Sequence, residues 1–351
     1  MISCIRDVLS WAHHPNEAVD PRINDAIYTV TANGLLLATL PEDLKNNINV
    51  VKAAISENGW ALQYASPVIQ DTKAVVLAAV RQKGRALAYA SPVMQNTKTV
   101  VLAAVRQDGW ALQYASPVMQ NTKAVVLAAV RQNGRVLEYA SPVMQNTKAV
   151  VLAAVRQNGQ ALQYASAIMQ HTKDVVLAAI TQDGCALAHT SPAMKNNEAV
   201  VLAAISQNAF ALIHATFALQ NTKAIVLAAI RKSCLVFEYA SPAMKNNEAI
   251  VLAAIRRNGL AFEYASPLMQ RNFNVIEACG ISLARDPMLI DLFVSPEIKS
   301  LAWVSLMRPD AFTRHPPHPC QTRFAWIATV IRAQKTTRQF GGARSSAESA
   351  L

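Results

Sequence analysis

Along most of the chain, compact apolar blocks recur between polar punctuation. In residues 123–134, KAVVLAAVRQNG, a lysine opens the block, Val125, Val126, Leu127, Ala128, Ala129 and Val130 fill it, and Arg131 to Gly134 close it. Six successive apolar positions leave almost no polar face, so the pattern predicts a helix of about three turns covered on both sides. Asn121 or Thr122 can accept from its first free N–H groups, and Gly134 can end it in the left-handed conformation. So short a helix is marginal alone in water, so neighbouring segments must supply its burial.

The next block, WALQYA at 110–115, predicts a short second helix. Ser116-Pro117 then starts a new turn, because a residue before proline is pushed out of the helical region while serine as cap and proline at the first position favour a fresh start. Leu112 and Met119 point inward in this reading, and Tyr114 lies along the rim. The whole pattern is copied: SPVMQNTKAVVLAAVRQNG stands at 116–134 and again at 141–159. Gly34, Gly59, Gly84, Gly109, Gly134, Gly159, Gly184 and Gly259 are spaced by 25 residues or its multiples, with the missing beats at Ala209 and Cys234. Repeats at such a period signify units that bury their apolar faces only by stacking. The expected fold is all-α, an α-solenoid of about ten 25-residue helical-hairpin repeats with a helical C-terminal cap. Residues 1–21 form a lead-in, 22–273 the repeats, 274–310 the cap, and 311–351 a basic linker, short helix and disordered tail.

Written out as KAVVLAAVRQNGRALQYASPVMQNT, the unit resembles a bacterial repeat family known as domain of unknown function 4116. The shared features are a VVLAAV core helix, an NG turn, an LxYAS stretch and a polar N-x-K before the next helix. The resemblance implies an all-helical array, often in proteins of bacteria that live inside host cells, and hence an effector-like role. It carries no activity, cofactor or catalytic residue. A looser similarity is to leucine-rich variant repeats, which alternate an α-helix with a 3₁₀ turn. The departures at Ala167, Ala209, Thr216, Phe217 and Cys234 place the turn geometry of units around 200–240 in question.

A longer rhythm lies inside the first. NGWALQYASPV at 58–68 and DGWALQYASPV at 108–118 are 50 residues apart, as are the GRALAYASPVMQNTK and GRVLEYASPVMQNTK blocks at 84–98 and 134–148. Duplication of two-unit blocks accounts for this, so the places where copies differ are the more informative. The residue after the turn glycine runs Trp60, Arg85, Trp110, Arg135, Gln160, Cys185, Phe210, Leu235 and Leu260. Trp and Arg are the residues favoured at binding hot spots, so Trp60, Arg85, Trp110, Arg135, Gln160 and Phe210 are candidate contacts to an unknown protein or peptide. The plainer reading is that these side chains cover the adjacent helix.

The formal charge of +11 changes the picture of possible partners. Lys73, Lys98, Lys123 and Lys148 share one slot, and Arg81, Arg106, Arg131 and Arg156 another eight residues on, which makes two parallel basic ladders. Such ladders suit a phosphate backbone, with Tyr64, Tyr89 and Tyr114 as stacking surfaces, so nucleic acid is the alternative partner. Against it, a cation in the last helical turn is favoured by the helix dipole in any protein, and Glu198 and Glu248 stand in the lysine slot of later units.

No catalytic or phosphate-cradling motif stands out, and the repeat holds eight of the eleven glycines, so an enzyme, a cofactor and a metal are not expected. His189 and His214 occupy the tyrosine slot of adjacent units and read as rim residues rather than metal ligands. His315, His318 and Cys320 lie close in RHPPHPCQ without an apparent fourth ligand. Five scattered cysteines fit a reducing compartment. The N-terminus lacks a Sec signal pattern, so the protein is expected in the cytoplasm or delivered to a host by a specialised secretion system. Residues 199–219 carry no formal charge but break at Ser206, Gln207 and Asn208, and read as a buried helix pair rather than a membrane span. The tail FAWIATVIRAQKTTRQF is an apolar-to-basic helix candidate that could dock on the array, a membrane surface or a partner.

Overall fold

The computed structural model describes residues 20–272 together with 274, 275, 278 and 279. The expectations for the N-terminal lead-in, nearly all of the 274–310 cap, the 311–351 tail, Cys4, and the His315, His318 and Cys320 cluster lie outside the described residues. Among the described residues every regular element is helical. Ten long α-helices are each followed by a six-residue 3₁₀ helix, and nine of those by an α-turn of four or five residues. This is an all-α repeat array of the solenoid class. It divides after Gln182 into two compact bodies, taken separately below.

In the first body one unit serves for the rest: the long helix Lys123–Gln132, the 3₁₀ helix Gly134–Tyr139 and the turn Pro142–Gln145. The return arm is thus 3₁₀, the alternation named above as the looser similarity. Six residues span about 12 Å as 3₁₀ but about 9 Å as α, which better matches the roughly 15 Å helix beside it. Val125, Val126, Ala129, Val130, Val136 and Leu137 are fully buried, with Met144 beneath them. Each buried Val or Leu contributes about 1.5–3 kcal/mol relative to exposure. Leu127 and Ala128 are only half-buried, so the long helix is covered on one side and not on both. Leu112, Met119 and Tyr114 stand as expected, the first two buried and the tyrosine half-buried.

Two local expectations are corrected. Thr122 is the N-cap residue but makes no capping bond; its Oγ1 donates back to Val118 O at 2.8 Å. Asn121 Oδ1 accepts instead from Ser141 Oγ of the next unit at 2.6 Å. Both side chains are therefore spent on the preceding turn or the neighbouring unit. The turn glycine is the second correction, because none of Gly34, Gly59, Gly84, Gly109, Gly134 and Gly184 takes the left-handed conformation. The residue before it ends the long helix by going extended, as Asn133 does at φ −149°, and Asn133 Oδ1 then caps the 3₁₀ helix by accepting from Arg135 N. Gly134 is needed for close approach: a Cβ there would stand 2.3 Å from the carbonyl oxygen of Ala154 in the next unit.

Polar ladders join the units at both edges. Ser66, Ser116, Ser141 and Ser166 each donate through Oγ to an asparagine of the preceding unit at 2.6 Å. The same hydroxyls accept from the N–H three residues on, so each serine caps its own turn while holding its neighbour. At the other edge, the glutamine ending a long helix reaches back one unit. Gln107 accepts from Gly84 N at 2.5 Å and donates to the helix-terminal carbonyl of Gln82 at 3.1 Å. Gln157 does the same with Gly134 N at 2.6 Å and Gln132 O at 3.4 Å.

The second body keeps this scheme, with Gly184 N donating to Gln207 at 2.7 Å. At the two irregular beats the turns survive: Ala209 and Cys234 each open a 3₁₀ helix, and the Thr216 carbonyl still starts the short turn Phe217–Gln220 although Phe217 replaces proline; in the first body Ser166 likewise caps Ala167–His171, there through its hydroxyl. The residue that should accept from the N–H of 209 is Lys232, and from that of 234 it is Arg257. Both donate instead to the preceding helix end, Lys232 to Ser206 O and Arg257 to Arg231 O. Glycine and its glutamine partner are thus lost together. The uncharged stretch 199–219 divides into Glu198–Gln207, Ala209–His214 and the start of Phe217–Gln220. Among the described residues no helix is long and apolar enough to cross a membrane.

Candidate interaction surface

In a 3₁₀ helix, side chains three residues apart eclipse one another. The residue after the turn glycine therefore shares its face with the residue three further on. In the first body this face presents Trp60 over Gln63, Arg85 over Ala88, Trp110 over Gln113, Arg135 over Glu138 and Gln160 over Gln163. The sequence pattern does not single out the second row, because a short α-helix over 110–115 would not eclipse residues three apart; the 3₁₀ geometry, that of the looser similarity, does.

The rings on this face lean along the array. Trp60 meets Tyr89 of the next unit edge-on, with ring centroids 6.1 Å apart, and Trp110 meets Tyr139 at 5.8 Å. Arg85 lies over Trp110 at 5.8 Å and donates through Nε to Asp108 at 2.7 Å. Trp60, Arg85 and Trp110 are half-buried and tie neighbouring units together, as the plainer reading expects. Arg135 is exposed, since Asn158 stands where Asp108 meets Arg85. In the second body Phe210 is 39% exposed and its ring meets Tyr239 at 6.4 Å.

The basic slots lie on the open face of the long helices. Lys73, Lys98, Lys123, Lys148, Arg81, Arg106, Arg131 and Arg156 are all exposed. Lys148 pairs with Asp174 at 2.7 Å, which holds that carboxyl below its usual range, chiefly through the hydrogen bond. The arginines sit in the last helical turn, where they offset the helix dipole. Between the long helices Lys73–Gln82 and Lys98–Gln107 runs an open groove lined by Leu77, Arg81, Leu102, Ala103 and Arg106, so this pair of arginines flanks half-exposed Leu and Ala positions.

His189 and His214 are half-buried, and both are held below the ordinary histidine range by burial first and Lys195 second. Among the described residues no three His, Cys, Asp or Glu side chains come together as metal ligands. Cys185 accepts from Asn208 Nδ2 at 3.2 Å, and burial pushes its thiol up.

Constant buried residues, ladders between units and a variable outward face define a protein of the all-α tandem-repeat class. A family model described as domain of unknown function (DUF4116) matches residues 28–70, 72–120, 122–170, 172–220 and 222–270 in succession. The chain belongs to that family. Each of the four later matches covers two 25-residue units, the two-unit period seen in the sequence. No curated protein and no solved structure matches the chain.

Proposed function

We propose that the array is a non-enzymatic scaffold that binds a protein or peptide partner on the outward face of its 3₁₀ helices. One observation carries this reading. Within the same six-residue elements the inward Ala or Val and Leu stay nearly constant, whereas the outward residue changes from Trp to Arg to Gln in the first body and from Cys to Phe to Leu in the second. Stacking needs the first set, and a partner would read the second. An effector-like role in a host cell belongs to the same proposal and rests on the family resemblance.

The test is affinity capture from nuclease-treated lysates with the wild-type chain and with W60A/R85A/W110A/R135A. The expected result is a captured protein lost with the variant; undiminished capture sinks the assignment to this face. Arg135→Glu, which removes no ring contact, separates lost binding from lost packing. The second reading, nucleic acid on the long-helix face, is favoured by the exposed, in-register Lys and Arg slots. It requires oligonucleotide affinity that falls steeply with salt. Absence of binding at low salt, where the electrostatic contribution is greatest, removes it.

A further inference from the structure

In the second body the 3₁₀ face differs in kind from that of the first. We propose that Phe210, Ile213, Leu235, Glu238 and Glu263 form the docking site for an amphipathic helix of another protein that carries apolar anchors beside Lys or Arg. This deepens the scaffold reading above and rests on it.

Phe210 and Ile213 stand three apart in the 3₁₀ helix Ala209–His214 and so eclipse one another, at 39% and 43% exposure. One unit on, Leu235 is 49% exposed and eclipses Glu238. The Phe210 ring meets Tyr239 of that next unit, so apolar surface continues from one 3₁₀ helix to the next. At the position in the first body's 3₁₀ helices equivalent to Ile213 stand Gln63, Ala88, Gln113, Glu138 and Gln163, none of them a large apolar residue. An apolar residue exposed beside others of its kind marks a contact surface more often than a scattered one does.

Charge selects the occupant. Glu238 and Glu263 follow Ile213 in its row, both are exposed, and neither pairs with a cation among the described residues. Glu238 first, burial second and Glu263 third push the Tyr264 hydroxyl up. In a chain whose residues 41–270 carry a net +9, two carboxylates one unit apart with no cation partner among the described residues are a local reversal of sign. Spacing selects the form: stacked helical layers repeat at about 8–10 Å, and residues seven apart on an α-helix are about 10.5 Å apart. A helix laid along the row would offer one anchor to each unit, in the helix-in-groove mode of recognition.

The experiment uses the full chain and two labelled helical peptides of about 20 residues, each with Leu at every seventh position, one carrying Lys and the other Glu at its polar positions, followed by fluorescence anisotropy at about 0.15 M salt. The net charge of the chain favours the Glu peptide, so the expected preference for the Lys peptide runs against bulk electrostatics. We expect the Lys peptide to bind at least about ten-fold more tightly than the Glu peptide, and E238K/E263K to lose at least about ten-fold. I213Q/L235Q should lose as much, while E238Q/E263Q, which cannot reverse the field, should lose less. All of these positions are exposed, and circular dichroism checks the fold. A preference for the Glu peptide, or Lys-peptide binding indifferent to these substitutions, overturns the proposal. So does a dimer in sedimentation that L235Q dissociates, since the occupant is then a second copy. If the Lys peptide fails but partner capture is lost with W60A/R85A/W110A/R135A, this inference falls and the scaffold reading stands; failure of both removes both.

Discussion

Gly134→Ala distinguishes two accounts of why each unit carries a glycine. With no left-handed backbone to preserve, alanine should stabilise the protein by about 0.4–1 kcal/mol by restricting the unfolded chain. The structure puts the cost in the neighbouring unit: the new Cβ would lie 2.3 Å from Ala154 O and 3.0 Å from Gln157 Oε1. A relaxed C···O contact lies at about 3.3–3.6 Å, so the units must separate by roughly 1 Å. A gap of that size forfeits about a quarter to a half of the dispersion energy of the atoms across it. It also strains the 2.6 Å bond from Gly134 N to Gln157, worth about 1 kcal/mol. Overpacking a close-packed interior costs about 1–3 kcal/mol, and we expect a net loss near 2 kcal/mol. Urea unfolding followed by circular dichroism gives the global value, and hydrogen exchange over 134 and 148–157 reports the local opening that repeat arrays permit. A variant as stable as wild type or more so refutes the reasoning. The chain contains its own control, since Ala209 is accommodated where Lys232 replaces the glutamine. Adding Gln157→Lys should therefore recover part of the loss, with a coupling of about 1 kcal/mol in a double-mutant cycle.

Further outcomes follow from other parts of the array. Ser141→Ala removes both the bond to Asn121 and the cap on Met144 N, and should lower stability by about 1–2 kcal/mol in the same denaturation assay. Thr122→Asn should raise it by about 0.5 kcal/mol, because Asn197 and Asn247 at the same slot do cap their helices. His189 and His214 are depressed in the folded state, so the unfolded chain takes up protons first as pH falls through about 6.5; the thermal midpoint should drop between about pH 7.5 and 5.5, and H189Y/H214Y should flatten that slope. Cys279, buried and with its thiol pushed up to about 12, should resist alkylation at about pH 8 until the chain unfolds, as residue-specific mass spectrometry would show, while half-exposed Cys234 reacts in the native state.

The period, the phase and the buried positions were legible because they depend on local pattern. Val125, Val126 and Val130 follow from the apolar block, and Ser116 with Pro117 from cap chemistry. What escaped was everything that depends on the next unit. Gln157 reads as an ordinary polar residue at a helix end, and only stacking brings it against Gly134. The same holds for Asn121, read as a cap for its own helix and found holding Ser141. Leu127 misled in the other direction, since an unbroken apolar run gives no sign of which side stays open. On the candidate surface, the slot of Trp60, Arg85 and Phe210 is visible because its residues vary, whereas the slot of Gln63, Ile213 and Glu238 emerges only because the return arm is 3₁₀.

The pairing of turn glycine with the glutamine 23 residues on bears on how such a chain can grow. Where it forms, at Gly59, Gly84, Gly134, Gly159 and Gly184, a copy carries one half of a joint and the copy after it the complementary half. Unequal crossing-over that adds or removes whole copies among those ending in glutamine therefore joins compatible ends every time, and length can change in one step without a new interface having to evolve. Lys232 and Arg257 break that interchangeability, because a copy ending in either one suits Ala209 or Cys234 and leaves a glycine N–H without its acceptor. The stretch from 209 to 257 is thus a part of the array in which a single copy cannot be exchanged without its neighbour, so variation there is inherited two copies at a time.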